Sequence, residues 1–262
     1  MIRCSAEERS LARANLYRLL ALVFSYPTSD VNEQRTALLP HAIAAADLLD
    51  GDIRHGVAAL AAALTDWLPP ELEHVFQSTF SITYSDECPL WETAFSARQI
   101  FEQNAQLADI AGFYRAFGLD PAGERHDHLA LELEFMFLLA LKEAHARERG
   151  EAEHVRICRD AQRSFLRDHL ARWAPVIGRR TALTGATSAY GAAGDLLVAF
   201  SSWEERFLRL GTVRRYRDEP VLIADEPGDL SCPMAELPSA EAANLPLFES
   251  REEAERVLAA HS

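Results

Sequence analysis

Clustered cysteines are absent from this sequence. Its four cysteines, Cys4, Cys88, Cys158 and Cys232, are scattered over 262 residues, and none forms a C-x-x-C pair. A structural zinc site needs clustered ligands, and a disulfide scaffold needs a higher density of cysteines. We therefore expect neither, and nothing recommends one particular Cys–His pair for catalysis.

Positive charge is also scarce. The chain has 26 lysines and arginines against 40 aspartates and glutamates, a formal net charge of −14. A protein that neutralises phosphates usually carries a basic face, and acidic surfaces repel anionic lipids. We therefore expect no nucleic-acid partner and no stable membrane association. Such a chain attracts basic peptides, although solubility alone also explains this charge.

Long apolar runs are lacking as well. The longest strongly apolar stretch, Phe135 to Leu141, is far shorter than the roughly 20 residues of a membrane-spanning helix. The start of the chain, Met1 to Arg9, has no apolar segment of the kind found in secretory signals. These features predict a cytoplasmic protein.

The common motifs of catalysis are missing too. The sequence contains no G-x-S-x-G, no Walker loop and no dinucleotide-binding fingerprint. We therefore predict that the chain is not an enzyme and carries no cofactor.

Apolar residues recur at helical spacing along most of the chain, and no stretch alternates as a strand does. Pro40 is expected to interrupt the second helix and Asp127 to cap a later one, while Gly118, Gly150 and Gly211 are expected to end helices. The predicted helices cover 5–24, 31–39, 57–67, 70–80, 93–117, 127–149, 151–173 and 188–210. The fold class predicted from this pattern is all-α.

The last part of the chain differs in composition. Residues 218–262 hold eleven acidic and two basic residues, a net charge of −9, together with five of the twelve prolines. Such a segment is typical of irregular structure, although Glu252 to Ala260 has the spacing of a last short helix. We predict one helical-bundle-like domain over residues 1–217 and an irregular acidic tail that contributes little to the core.

Two Glu-x-x-His pairs offer an alternative interpretation. Glu71-x-x-His74 and Glu151-x-x-His154 have the spacing that, with two further glutamates, holds di-iron sites in helical bundles. Both pairs fall in the first turn of a predicted helix, where glutamate is favoured by the helix dipole. We predict no metal site, and a helical metalloprotein or di-iron enzyme remains the second hypothesis.

An aromatic loop is a candidate binding surface. Residues 84–95 include Tyr84, Pro89, Trp91 and Phe95, next to acidic side chains. Exposed aromatic residues on loops often mark peptide-binding surfaces. Trp91 and Phe95 are also four residues apart, a spacing at which both can fill the core. Both interpretations stay open.

The turn His126-Asp127-His128 precedes the most apolar predicted helix. His128 and Glu132 share a helix face, which suits metal binding or catalysis, but no further motif completes a site. Asp127 also suits the N-cap of the following helix.

Three blocks of sequence, in this order, resemble the TorD/DmsD/NarJ family of redox enzyme maturation chaperones. They are CPLWETAF at 88–95, AGFYRAFG at 111–118 and ERHDHLALELEFM at 124–136. GFYRAFGL and ERHDHLALELEFM are most similar to chaperones of type II dimethyl sulfoxide reductase family enzymes. The family commonly has proline where this chain has His126, whereas Asp127 and His128 match its pattern.

The resemblance implies an all-helical chaperone that binds the apo catalytic subunit of a molybdopterin-dependent oxidoreductase, often at its basic twin-arginine signal peptide. It also implies help with folding, cofactor insertion and export. Carboxylates can accept charge-assisted hydrogen bonds from arginine, and aromatic rings can cover an apolar segment. The predicted client-peptide site comprises Tyr84, Pro89, Trp91, Phe95, Glu124, Asp127 and His128.

The predicted helix over 93–117 creates a geometric difficulty, because about 25 helical residues span roughly 37 Å. The loop and the turn can meet only if the loop folds back or the helix is broken. The most polar interruption, Asn104 to Asp109, is the predicted break.

Overall fold

A computed structural model describes residues 4–65, 69–80, 87–96, 99–119, 125–218 and 220. All regular elements in these ranges are helical, which confirms the all-α prediction. They are α1 (Ala6–Val23), α2 (Ser29–Ala46), α3 (Gly51–Thr65), α4 (Pro69–Phe80), α5 (Thr93–Ser96), α6 (Ile100–Ala116), α7 (Leu129–Glu148), α8 (Ala152–Phe165), α9 (Ala171–Thr184) and α10 (Ala189–Leu208). A π-helical turn, Leu166–Leu170, joins α8 to α9.

Helix α1 lies at the centre of the core. It packs most extensively against α7 and also contacts α2 and α10. Helices α9 and α10 pack against each other. Leu16, Leu19 and Leu20 are fully buried, as expected for a helix that is apolar on several faces. Across the described residues, no helix combines the length and apolar character needed to cross a membrane.

Helix α2 runs through Pro40, so the predicted interruption there was wrong. A proline inside a helix removes the hydrogen bond to the carbonyl four residues earlier, here that of Thr36. Both residues are exposed, so water can satisfy that carbonyl. The turns beyond are held by buried Ala42, Ala45 and Ala46.

The predicted helix over 93–117 is divided into α5 and α6, and the break was predicted in the wrong place. Helix α5 ends at Ser96 and α6 begins at Ile100, whereas the stretch from Asn104 to Asp109 lies inside α6. Asn104 and Asp109 are exposed, so their polar side chains stay solvated without interrupting the helix. Gly118, with φ of +74°, follows the end of α6 as predicted.

Four other helix ends can be compared with the prediction. The cap of α7 is His128 instead of Asp127, and Gly150 adopts φ of +73° after its last turn as predicted. Helix α9 continues to Thr184, beyond the predicted end at Trp173, because the π turn carries the helical path onward. Arg209, with φ of +56°, caps α10 two residues before the predicted Gly211.

After α10 the chain runs back along α9. We call residues 210–218 the C-terminal strap. The Tyr216 amide donates to the Arg172 carbonyl at 2.9 Å, and the Arg172 guanidinium lies 4.1 Å from the Tyr216 ring centre. Arg180 donates to the Asp218 carbonyl at 2.7 Å. Apart from residues 218 and 220, the predicted tail and its short helix lie outside the described residues.

Candidate functional site

The predicted loop and the predicted turn lie directly against each other. The Glu92 amide donates to the Asp127 carbonyl at 2.9 Å, and the Leu129 amide donates to the Leu90 carbonyl at 2.8 Å. These bonds form an isolated antiparallel bridge between Trp91 and His128. We call residues 90–93 together with 125–129 the site joint. The loop reaches the turn because the chain is not one long helix after residue 93.

Asp127 is fully buried at the centre of the site joint. Its Oδ2 accepts hydrogen bonds from the Thr93 amide at 3.0 Å and the Thr93 hydroxyl at 2.7 Å. The carboxylate therefore caps α5, a different helix from the one predicted. Arg125 Nη2 also donates to Oδ2 at 3.1 Å, so this carboxylate is already paired with an arginine of its own chain.

Trp91 and Arg125 are two partly accessible residues of the site joint. The Arg125 guanidinium lies 5.0 Å from the centre of the Trp91 ring, within the range of a cation–π contact. Trp91 is half-buried, and the Arg125 side chain is 39% exposed. The joint therefore presents an aromatic ring with a guanidinium over one face.

His128 is half-buried and neutral. Its Nδ1 accepts a hydrogen bond from the Ala130 amide at 3.2 Å, which caps α7 and places the proton of the neutral ring on Nε2. Burial lowers the pKa of His128 to about 4, against the opposing charge of Asp127. Near neutral pH the ring can donate one hydrogen bond without adding positive charge.

A buried network beneath the site joint was missed by sequence reasoning. The carboxylate of Glu92 lies 3.1 Å from His169 Nδ1 and accepts a 2.9 Å bond from the Tyr216 hydroxyl. His169 Nε2 in turn lies 3.1 Å from the Asp109 carboxylate. Burial alone would lower the pKa of His169, but its hydrogen bond to Glu92 and the charges of Glu92 and Asp109 raise it overall. The network links the loop to α6, the π turn and the strap.

Glu132 is buried and does not pair with His128 as a ligand would. Its Oε2 accepts a bond from the indole nitrogen of Trp173 at 3.0 Å. Burial, together with the charge of Glu92, raises the pKa of Glu132 well above its usual value and favours the neutral acid. In the part of the chain that the structure describes, no three His, Cys, Asp or Glu side chains are grouped to hold a metal ion.

The remaining predicted site residues occupy different positions. Phe95 is 3% exposed, and its ring centre lies 5.9 Å from that of Trp173, so Phe95 fills the core. Pro89 is also buried. Tyr84 and Glu124 lie outside the described residues.

The Glu-x-x-His pairs do not form the di-iron arrangement of the alternative interpretation. Glu151 is the residue before α8, and its carboxylate lies 2.8 Å from Nδ1 of His154, whose side chain is 57% exposed. Glu71 and His74 are exposed on the first turns of α4. Both pairs are on the surface, whereas a bundle metal site needs inward-facing ligands.

Comparison with known proteins decides the family. A sequence model of the nitrate reductase delta subunit family matches residues 46–178, just over half of the chain. The chain belongs to this family. The match contains the whole site joint, and of the network beneath it only Tyr216 lies beyond the matched residues.

Two curated relatives agree with this assignment. The perchlorate reductase assembly chaperone protein of Dechloromonas aromatica (strain RCB) is 29% identical over 208 residues, which cover 74% of this chain and 88% of the relative. The selenate reductase assembly chaperone protein of Thauera selenatis is 39% identical over 102 residues, or 37% of this chain and 51% of the relative. The predicted recognition is confirmed: this is a NarJ/TorD-like chaperone family member, similar to chaperones of type II dimethyl sulfoxide reductase family enzymes.

Proposed function

We propose that this chain is a chaperone for the apo catalytic subunit of a molybdopterin-dependent oxidoreductase. It assists the folding of that subunit, cofactor insertion and export, acts in the cytoplasm, and is neither an enzyme nor a cofactor carrier. The observation that carries the proposal is the family match across the site joint, together with two relatives named as reductase assembly chaperones. The net charge of −14 favours a basic partner segment.

The client peptide binds at the site joint in this proposal. Trp91 offers an aromatic surface for an apolar segment, and His128 offers a neutral donor at Nε2. Tyr84 and Glu124 flank the joint in sequence and complete the proposed site. A twin-arginine signal peptide supplies both the basic and the apolar parts that such a site needs.

The buried members of the proposed site act from beneath the surface. Asp127 holds Thr93 and Arg125 in place, so its loss would disturb the joint even without direct contact to the client. Phe95 and Pro89 support the loop from the core side.

Calorimetry with a twin-arginine client peptide tests this proposal. We expect the dissociation constant to rise about tenfold for Trp91→Ala and several-fold for His128→Ala, as for residues central to an interface. His154→Ala on the surface of α8 and Ile157→Ala on the same helix are matched controls that should bind like the parent. Parent-like binding by both folded site variants would show that the peptide binds elsewhere.

A further inference from the structure

Arg125 is surrounded by groups that recognise a guanidinium. Its Nη2 donates to the Thr93 hydroxyl at 3.0 Å and to Asp127 Oδ2 at 3.1 Å, and its guanidinium carbon lies over the Trp91 ring, 5.0 Å from the ring centre. An aromatic face, a hydroxyl and a carboxylate form a site that suits the flat, delocalised charge of arginine better than the compact ammonium of lysine.

Arg125 fills this site incompletely. Arg125 Nε is buried without an acceptor among the described residues, and Asp127 Oδ1 is buried without a donor among them. Arginine and a carboxylate can instead form two parallel bonds, as Arg13 and Glu204 do here at 2.6 and 2.7 Å. Arg125 is only two residues from Asp127, so its own backbone restricts the direction from which it approaches. One oxygen of a fully buried carboxylate is thus left for a second, better-aligned donor.

Of Arg125, Thr93 and Asp127, Arg125 is the residue whose side chain can move out of the pocket into solvent. Its side chain is 39% exposed and comes from a turn, whereas the Asp127 side chain is 0% exposed and Thr93 is buried at the start of α5. If Arg125 swings into solvent, the buried carboxylate and the adjacent ring remain. Asp127 then keeps its two hydrogen bonds from Thr93 but has no cationic partner. A buried charge without an opposite charge is unfavourable, so the emptied site favours a new cation.

We propose that the pocket formed by Trp91, Thr93 and Asp127 is an arginine-binding subsite and that Arg125 is its resident occupant, which a client arginine displaces. This inference rests on the proposed function and specifies its chemistry. The incoming guanidinium bonds both oxygens of Asp127 and stacks on Trp91, while Arg125 moves to solvent. Displacement makes the site selective, because a cation must bind better than Arg125 to enter.

Chemical rescue tests the subsite without any client. Arg125→Ala is unfolded thermally with and without millimolar methylguanidinium, and with methylammonium as the matched cation. We expect methylguanidinium to raise the melting temperature of Arg125→Ala selectively, with no such rise for the parent or for Arg115→Ala, an exposed arginine on α6. Equal effects of the two cations, or no effect of either, would overturn the subsite. If Arg125→Ala does not fold, Arg125→Gln retains an amide donor and is used instead.

Peptide calorimetry tests the displacement. We expect Arg125→Ala to bind a twin-arginine client peptide about tenfold more tightly than the parent does. When both arginines of the peptide are replaced by lysine, Arg125→Ala should bind it no more tightly than the parent does. If the parent binds and the variant binds no more tightly, Arg125 is not a competitor and this inference fails while the proposed function stands. If neither protein binds the peptide, the proposed peptide site fails and the displacement fails with it.

Discussion

The hydroxyl of Tyr216 donates a 2.9 Å hydrogen bond to Oε1 of Glu92 across 124 residues of sequence. The other oxygen of the same carboxylate lies 3.1 Å from Nδ1 of His169 in the π turn. Glu92 is therefore held from two sides, directly next to Trp91 in the site joint. It follows that the C-terminal strap supports the candidate site from outside the matched residues 46–178.

The Tyr216–Glu92 bond should contribute measurably to stability. Tyr216→Phe removes the donor to a fully buried carboxylate, and we expect a loss of about 1–3 kcal/mol in the free energy of unfolding, measured in urea. Tyr26→Phe is the matched control, since Tyr26 bonds Glu73 near the surface and should cost less. Equal losses for the two variants would mean that the strap does not support Glu92.

Truncation separates the strap from the tail. A chain ending at Pro220 keeps Tyr216 and its bonds, so its melting temperature should stay close to that of the full chain. A chain ending at Arg209 lacks the strap and should melt at a lower temperature. If the first truncation already removes most of the stability, the acidic tail contributes to the core, through apolar residues such as Leu245, Leu247 and Phe248, contrary to the prediction.

Arg13 joins four helices inside the core. It is fully buried and bonds Glu204 on α10, Glu143 on α7 and Gln162 on α8. Arg13→Met leaves two buried carboxylates without this cation, and we expect a loss of about 3–5 kcal/mol in the free energy of unfolding. The matched variant Arg156→Met removes an exposed arginine that pairs with Glu153 and Asp160 on its own helix, and it should leave stability nearly unchanged. Similar effects of the two substitutions would contradict this role.

His169 makes stability depend on pH in a defined direction. Its pKa is raised in the folded protein, so the imidazolium between Glu92 and Asp109 stabilises the fold below about pH 6.5, the unfolded value. This contribution is lost as pH rises through the folded pKa. The free energy of unfolding of the parent should therefore exceed that of His169→Gln by less at about pH 9 than at about pH 6. A difference that stays constant or grows with pH would show that His169 is not held as a cation.

Local signals in the sequence predicted much of the fold. The sequence Ser5-Ala6-Glu7-Glu8 has the spacing of a capping box, and the structure forms it, with the Glu8 amide 3.0 Å from Ser5 Oγ. Gly118 and Gly150 follow helix ends as predicted. Each of these features depends on residues close together in the chain. The cap of α7 was misplaced because Asp127 and His128 are both able to accept from a helix amide, and only the packing of Asp127 against Thr93 decides between them.

The support beneath the site could not be predicted in the same way. His169 lies 77 residues from Glu92, and Tyr216 lies 124 residues from it, so no local spacing connects them. The π turn that carries His169 has the same apolar pattern as an ordinary helix. Sequence patterns therefore indicated the loop and the turn, while their contact depends on where α5 ends and on the pairing of Leu90 with Leu129.

The molybdenum content of the client subunit tests the proposed chaperone function directly. The catalytic subunit of a molybdopterin-dependent oxidoreductase is purified from the native host with this chain present, deleted, or replaced by Trp91→Ala. We expect deletion to leave the subunit largely without molybdenum, the parent chain to restore its molybdenum content, and Trp91→Ala to restore that content only in part. If every such subunit carries its full molybdenum content in the deletion strain, the proposed chaperone function is wrong.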